Sequence, residues 1–239
     1  MVDLKEFEQK AADLRVLGMK ISIGQDTVYE KYWDEDCRRN IYSASKSFTS
    51  CAVGFAVQEG LIDLDERLVD AFKEDIPNNP DENLKKATVK DLLTMTLGQE
   101  KGFLMGKQRP RMEEQNWVKA SLAIPFVYEP GTHFVYNNVG PYLAGILVQR
   151  RAGCDLLSYL TPRLLKPLGI RKTIWEVDPE GNTFGAGGLF LTVSELHKLG
   201  MFYLQDGCWN GKKLLSKEWI HESTRKQVEN NKNSYGYGY

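Results

Sequence analysis

Tyr42-Ser43-Ala44-Ser45-Lys46-Ser47-Phe48-Thr49 is the stretch on which the reading of this chain turns. A serine and a lysine stand one helical turn apart, opening a run that places Phe48, Cys51, Ala52, Phe55 and Ala56 at helical spacing and stops at Gly60. Residues three apart on a helix share a face, so Lys46 is directed at the Ser43 hydroxyl. A lysine at the mouth of an apolar core is desolvated, which favours the neutral amine that can accept the serine proton. A serine nucleophile with an amine base needs no histidine. From local context alone the same residues read equally well as a helix cap with a solvated lysine. A second Ser-x-x-Lys, Ser223-Thr224-Arg225-Lys226, has polar neighbours and no apolar stripe behind it, and reads as a solvated helix end.

Further along, the turn Pro130-Gly131-Thr132 precedes Tyr136-Asn137-Asn138 and would present it to a cleft. A phenol beside a lysine ammonium is pushed toward phenolate and can shuttle a proton to a leaving group. Asn138 can hydrogen-bond a substrate amide or the lysine. Taken alone, Tyr136 also fits the commoner description of a buried tyrosine with a satisfied hydroxyl.

The surrounding sequence reads as alternating small elements. Leu4, Phe7, Ala11 and Leu14 mark an amphipathic helix over residues 3–15, with Gly18 as its stop. Met19–Ile23 and Val28–Tyr32 flank Gly24-Gln25-Asp26 as a β-hairpin. From Leu61 to about Lys172 the pattern is mostly helical, with Thr88 and Asp91 starting one helix. Trp117–Ala123, Val139–Ala152 and Leu156–Leu165 are further helices, and Gly98 to Pro110 is loop. Gly185-Ala186-Gly187-Gly188-Leu189 is a turn where backbone approaches something closely. Ser194 caps a helix over Glu195–Leu204, and Ser216 caps another through Glu222. Tyr235, Tyr237 and Tyr239 alternate with glycines at strand period, a strand cut at its middle.

Bulk properties exclude several classes. The chain has 239 residues, 42% apolar and 26% charged, with a formal net charge of −1, ordinary for a globular protein. No basic run interleaved with aromatics supports nucleic-acid binding, and no apolar stretch is long enough for a bilayer. The charged start, Met1-Val2-Asp3-Leu4-Lys5-Glu6, is not a signal peptide. Cys37, Cys51, Cys154 and Cys208 have no metal-type spacing and read as reduced thiols. His133, His197 and His221 offer no ligand pair. No metal or cofactor is expected, and a cytoplasmic location is.

The linked motifs together resemble the serine β-lactamase and penicillin-binding-protein superfamily, in the branch of class C β-lactamases and related esterases. Tyr42 to Thr49 resembles the nucleophile motif, and Glu129-Pro130-Gly131-Thr132 with Tyr136-Asn137-Asn138 the second motif. Leu92-Leu93-Thr94-Met95-Thr96-Leu97-Gly98 resembles a segment usually read Leu-Leu-x-His-x-Ser-Gly, with Met95 and Leu97 departing from it. Lys166-Pro167-Leu168-Gly169-Ile170, Gly187-Gly188-Leu189 with Thr192, and the Tyr-Gly ending follow in order. No class A Ser-Asp-Asn triplet is present.

By that resemblance Ser43 is the acylated nucleophile, Lys46 the base, Tyr136 the proton shuttle and Asn138 a substrate-positioning residue. The backbone N–H of Ser43 would supply half an oxyanion hole. The implied fold is α/β (α+β), an antiparallel sheet flanked by helices plus a mostly helical lobe. The expected organisation is a single β-lactamase-like domain over 1–239, with an α/β lobe (1–42 and 183–239) around a helical lobe (43–182). The third motif and the last strands are expected beyond Tyr239, where they would pair with the N-terminal hairpin. The expected function is a serine hydrolase forming an acyl-enzyme on a small-molecule ester or amide, with β-lactams as related ligands. The alternative is a penicillin-binding or ligand-binding module on the same fold without turnover. Oligomeric state is not legible.

Overall fold

The computed structural model describes residues 4–11, 13–230 and 236–239. A short helix, α1 (Lys5–Ala11), leads to a hairpin of β1 (Gly18–Ile23) and β2 (Asp26–Tyr32). The strands pair antiparallel from Gly18 opposite Tyr32 to Ile23 opposite Asp26, with a bulge between Ile21 and Ser22. Gly24, at φ +58°, supplies the left-handed residue of the connecting turn. The helix expected over 3–15 is shorter than its pattern. It ends at Ala11, residues 1–3 and 12 lie outside the described residues, and Leu14 is 65% exposed. Arg15, at φ +54°, turns the chain away, and Gly18 opens a strand instead of stopping a helix.

β3 (Arg39–Asn40) pairs antiparallel with β4 (Phe190–Leu191). Ile41 N–H continues the pairing to Leu189 O at 2.9 Å. This small ladder sets the 185–189 turn beside the head of α2 (Ser45–Gln58). Between β3 and β4 lie α3 (Leu68–Ala71), α4 (Glu82–Lys86), α5 (Val89–Thr94), α6 (Trp117–Leu122), α7 (Val139–Ala152) and α8 (Leu156–Leu160). Two helices, α2 and α7, form the centre of the core. α2 is buried continuously from Phe48 to Ala56, and α7 from Val139 to Gln149. The apolar stripe expected on α2 is therefore closer to a fully covered cylinder, the pattern of a helix enclosed by its neighbours.

Local signals explain most boundaries. Asp91 accepts the Thr88 N–H at 2.9 Å, completing the capping box that starts α5. α8 stops at Leu160 and a π turn runs from Thr161 to Leu165, because Pro162 has no N–H to continue the ladder. α9 (Val193–Leu204) is capped by Thr192, not by Ser194. Thr192 accepts the Glu195 N–H at 3.0 Å while Glu195 accepts the Thr192 N–H at 3.1 Å. Ser194 pairs instead with the Tyr32 hydroxyl at 2.8 Å, tying α9 to the hairpin.

Beyond α9, β5 (Cys208–Trp209) and β6 (Lys212–Lys213) form a small hairpin, and α10 (Lys217–Thr224) is capped by Ser216 as its sequence implied. β7 (Val228–Glu229) pairs with β8 (Gly236–Tyr237). Tyr235 lies outside the described residues, whereas Tyr237 packs on Phe134 with ring centroids 5.1 Å apart and Tyr239 on Trp219 at 5.6 Å. Among the described residues no helix is long and apolar enough to cross a membrane.

α5 and α7 meet where Gly140 lies against the Leu92 backbone, so closely that a Cβ there would overlap the Leu92 carbonyl oxygen. Neither helix can yield without moving the core. Gly140→Ala is expected to cost about 1–3 kcal/mol of overpacking strain, read as a lower urea midpoint with an unchanged slope.

Candidate active site

Four segments converge on one lysine amine. Ser43 sits not in α2 but in a 3-10 turn, Tyr42–Ala44, immediately before it, and Lys46 stands in the first turn of the helix. Lys46 Nζ lies 3.1 Å from Ser43 Oγ, 2.8 Å from Asn138 Oδ1 and 2.6 Å from the main-chain oxygen of Ala186. The Tyr136 hydroxyl lies 2.9 Å from Ser43 Oγ, and Lys46 Nζ is 5.2 Å from the Tyr136 ring centroid. Two segments far apart in sequence are thus joined in one chain of hydrogen bonds that runs from Tyr136 to Ser43 to Lys46 to Asn138.

The hydrogen-bond inventory orients this amine. A neutral amine has two N–H bonds and one lone pair. Asn138 and Ala186 present oxygens that can only accept, so they take both N–H bonds. As an ammonium ion Lys46 also donates to Ser43 Oγ, and in the neutral form its lone pair is left facing Ser43 Oγ, which can supply a proton. The orientation of Asn138 is itself fixed, since its Nδ2 donates to Leu104 O at 2.9 Å. Leu104, buried and at φ +56°, holds that carbonyl in place.

The second motif is anchored from beneath. Asn137 accepts the Gly140 N–H at 2.8 Å and donates to Val135 O at 2.7 Å. Val135 N–H reaches Met95 O at 3.0 Å, and Asn137 N–H meets Met95 Sδ at 3.3 Å. Met95 and Leu97, the two departures from the family pattern, are both buried. Met95 closes α5 at φ +61° and supports the backbone of the Tyr136 motif, so its part is packing.

The glycine-rich turn docks on α2 through two side chains. Thr49 Oγ1 donates to Gly185 O at 2.6 Å, and Leu189 N–H donates to Ser45 Oγ at 3.1 Å. That close approach was legible in the sequence. What it delivers, the Ala186 carbonyl, was not, and neither were Leu104 and Arg109. Main-chain acceptors leave no side-chain signature, and Arg109 stands in a loop without periodicity. Burial withdraws water from Lys46, and the Arg109 cation adds repulsion, so its amine is lowered from the usual lysine value to about 8. Roughly one amine in ten is then neutral at pH 7.

The second Ser-x-x-Lys is not a site. Ser223 Oγ is buried and donates to Ile220 O at 3.1 Å, while Lys226 pairs with Glu229. Cys37, Cys51, Cys154 and Cys208 are free thiols, and burial pushes Cys51 up to about 12. Among the described residues no three His, Cys, Asp or Glu side chains are grouped to hold a metal ion.

The chain belongs to the Beta-lactamase family, whose family model matches residues 5–239. Monacolin J acid methylbutanoyltransferase of Aspergillus terreus is 32% identical over 157 residues, covering 57% of this chain and 37% of that protein. Lovastatin esterase of Penicillium rubens is 31% identical over 150 residues, covering 54% of this chain and 37% of its own length. The match spans little more than a third of either relative. The octameric penicillin-binding protein homologue from Pyrococcus abyssi superposes with a TM-score of 0.76 at 22% identity, covering 100% of this chain and 64% of that one. The fold is that of the β-lactamase and transpeptidase group, α+β, and the family relatives include acyltransferases and an esterase.

The titration of Lys46 is directly measurable. Competitive acetylation across pH, read by mass spectrometry on the Lys46 peptide, is expected to give a midpoint of about 8, where a solvated lysine gives about 10.4. A midpoint at the solvated value would contradict the burial seen here.

Proposed function

We propose that this chain carries the acyl-transfer centre of a serine hydrolase or acyltransferase acting on small esters or amides. The observation that carries the reading is the convergence of Ser43 Oγ, Asn138 Oδ1 and Ala186 O on Lys46 Nζ, which in the neutral amine leaves the lone pair for Ser43. In the acylation step Ser43 Oγ attacks the substrate carbonyl carbon and gives its proton to the neutral Lys46 amine. The carbonyl π pair becomes an oxyanion, facing the Ser43 backbone N–H as one donor. Collapse of that intermediate breaks the bond to the leaving alcohol or amine. The leaving group takes the Tyr136 phenolic proton, and the Lys46 ammonium balances the phenolate until that proton is returned. Water or another hydroxyl then gives its proton to the Lys46 amine and attacks the acyl carbon, and cleavage of the bond to Ser43 Oγ, which takes that proton back, releases acid or a new ester and restores Ser43.

Asn138 acts in this scheme by holding the amine through Oδ1, with substrate positioning as the role implied by the family motif. The names of the relatives favour an acyl ester as the substrate class, with either water or an alcohol as acyl acceptor. The domain division, an α/β lobe around a helical lobe, belongs to the same reading.

An alkyl fluorophosphonate tests the assignment, because it needs an activated serine and no knowledge of the natural substrate. Labelling is expected at Ser43 and is expected to vanish in Ser43→Ala. An unmodified protein would favour the ligand-binding alternative. The labelling rate is expected to rise with pH and level off above about 8, since the base must be the neutral amine and is progressively protonated below that value. Tyr136→Phe keeps the ring but loses the hydroxyl, and is expected to slow turnover of a p-nitrophenyl ester by about 10²–10⁴-fold. Comparing that ester with nitrocefin, and water with added alcohol, ranks esterase, β-lactamase and acyltransferase activity.

A further inference from the structure

The backbone just before the nucleophile is strained. Tyr42 adopts φ +47°, a left-handed conformation that bulky residues avoid, and its side chain is 75% exposed. Exposure means that ring packing does not hold it there. A side-chain hydrogen bond does: Tyr42 N–H donates to Asn40 Oδ1 at 2.7 Å. Asn40 Nδ2 in turn donates to Glu176 Oε1 at 3.1 Å, and Arg109 Nη1 lies 3.2 Å from Glu176 Oε2. One carboxylate therefore uses its two oxygens for two different parts of the molecule.

Glu176 also reaches the third part. Its N–H donates to Gly188 O at 2.9 Å, and its carbonyl accepts the Phe184 N–H at 2.8 Å, so it frames the turn that presents Ala186 O to Lys46. Gly188, at φ +83°, has no room for a side chain, because a Cβ would lie 2.5 Å from Glu176 Cβ. Arg109 extends over the Phe184 ring, 4.2 Å from its centroid, and belongs to the loop whose Leu104 carbonyl fixes Asn138. The nucleophile turn, the carbonyl that orients the base and the loop that orients Asn138 all meet at Glu176.

We propose that Asn40, Glu176 and Arg109 form a positioning relay, centred on Glu176, that holds the strained Tyr42 turn and keeps Ser43 in register with its base. The proposal rests on the acyl-transfer reading of Ser43 and Lys46. The relay touches no reacting atom. Its ion pair is half exposed, at 24% and 38% of the two side chains, where such pairs add little to stability. Beyond the repulsion that Arg109 exerts on Lys46, the relay's effect on Ser43 is geometric. The conformation at Tyr42 decides where Ser43 Oγ points, and small misplacements of a nucleophile are costly in rate.

Two readouts test it, and only one depends on activity. Hydrogen–deuterium exchange of the peptide containing Tyr42 reports the Asn40-bound amide directly. Glu176→Ala is expected to accelerate exchange at Tyr42 and to slow fluorophosphonate labelling of Ser43 on the order of 10- to 100-fold, with an unchanged circular dichroism spectrum. Glu176→Gln offers one acceptor oxygen where two are needed, so it is expected to recover part of both losses. Should Glu176→Ala not fold, Glu176→Gln and Asn40→Ala carry the same comparison. Wild-type exchange at Tyr42 in a folded Glu176 variant overturns the relay, as does faster exchange with an unchanged labelling rate. Failure of the wild-type protein to be labelled at Ser43 counts against the acyl-transfer reading instead, and the exchange data still judge whether Glu176 holds the Tyr42 turn.

Discussion

A primary amine held partly out of water between two oxygens that can only accept is the constraint from which the rest of this site follows. Lys46 could satisfy three acceptors as an ammonium ion, and that form would be inert as a base. Desolvation works against the charge and lowers its pKa to about 8. Once one proton is lost, the hydrogen-bond count leaves a single arrangement. Asn138 Oδ1 and Ala186 O keep the two N–H bonds, and the lone pair faces Ser43. Ser43, the Tyr136 phenol and the Asn138 amide are tied together through that nitrogen.

Holding four groups to such geometry needs rigid supports, and the core supplies them. α2 carries Lys46 at its first turn and is enclosed along most of its length. α7 carries Asn138 at its N-cap and is enclosed likewise. The two long helices pack together, with Gly140 letting α5 approach the second closely. The polar pieces that complete the site are turns, pinned by single hydrogen bonds: Ser45 to Leu189, Thr49 to Gly185, Asn138 to Leu104. Mobile elements in those places would leave these side chains a fraction of an ångström out of line. The same fold serves transferases, esterases and penicillin-binding proteins among the relatives. Such breadth is expected where chemistry resides in a small constellation on a stable frame.

Much of this was legible in the residues. The hairpin showed in two alternating runs around Gly24, the α5 cap in Thr88 and Asp91, and α7 in its apolar spacing, because each depends on neighbours within a few positions. Signals failed where a local cue had a competitor. Leu14 continues the N-terminal apolar pattern, yet the helix ends at Ala11 and Arg15 turns the chain. Ser194 is a good cap by type, but Thr192 with Glu195 makes the reciprocal pair. Ser223, read with Lys226 as part of a solvated helix end and rightly set aside as a site, is nevertheless buried, its hydroxyl turned back onto Ile220 O.

The sequence by itself determined the chemical inventory: a serine, a lysine, a tyrosine and an asparagine in motifs whose order marks the family. Those are properties of residue type and spacing, which survive without coordinates. Tertiary structure alone decided that Ala186 and Leu104, ordinary residues at main-chain carbonyls, hold Lys46 and Asn138. It also decided that Asn40, Glu176 and Arg109 share one set of contacts. A backbone oxygen is the same in every residue, and a lone charged side chain in a loop carries no periodicity. Their significance comes from what lies opposite them in space, and spacing along a chain does not encode that.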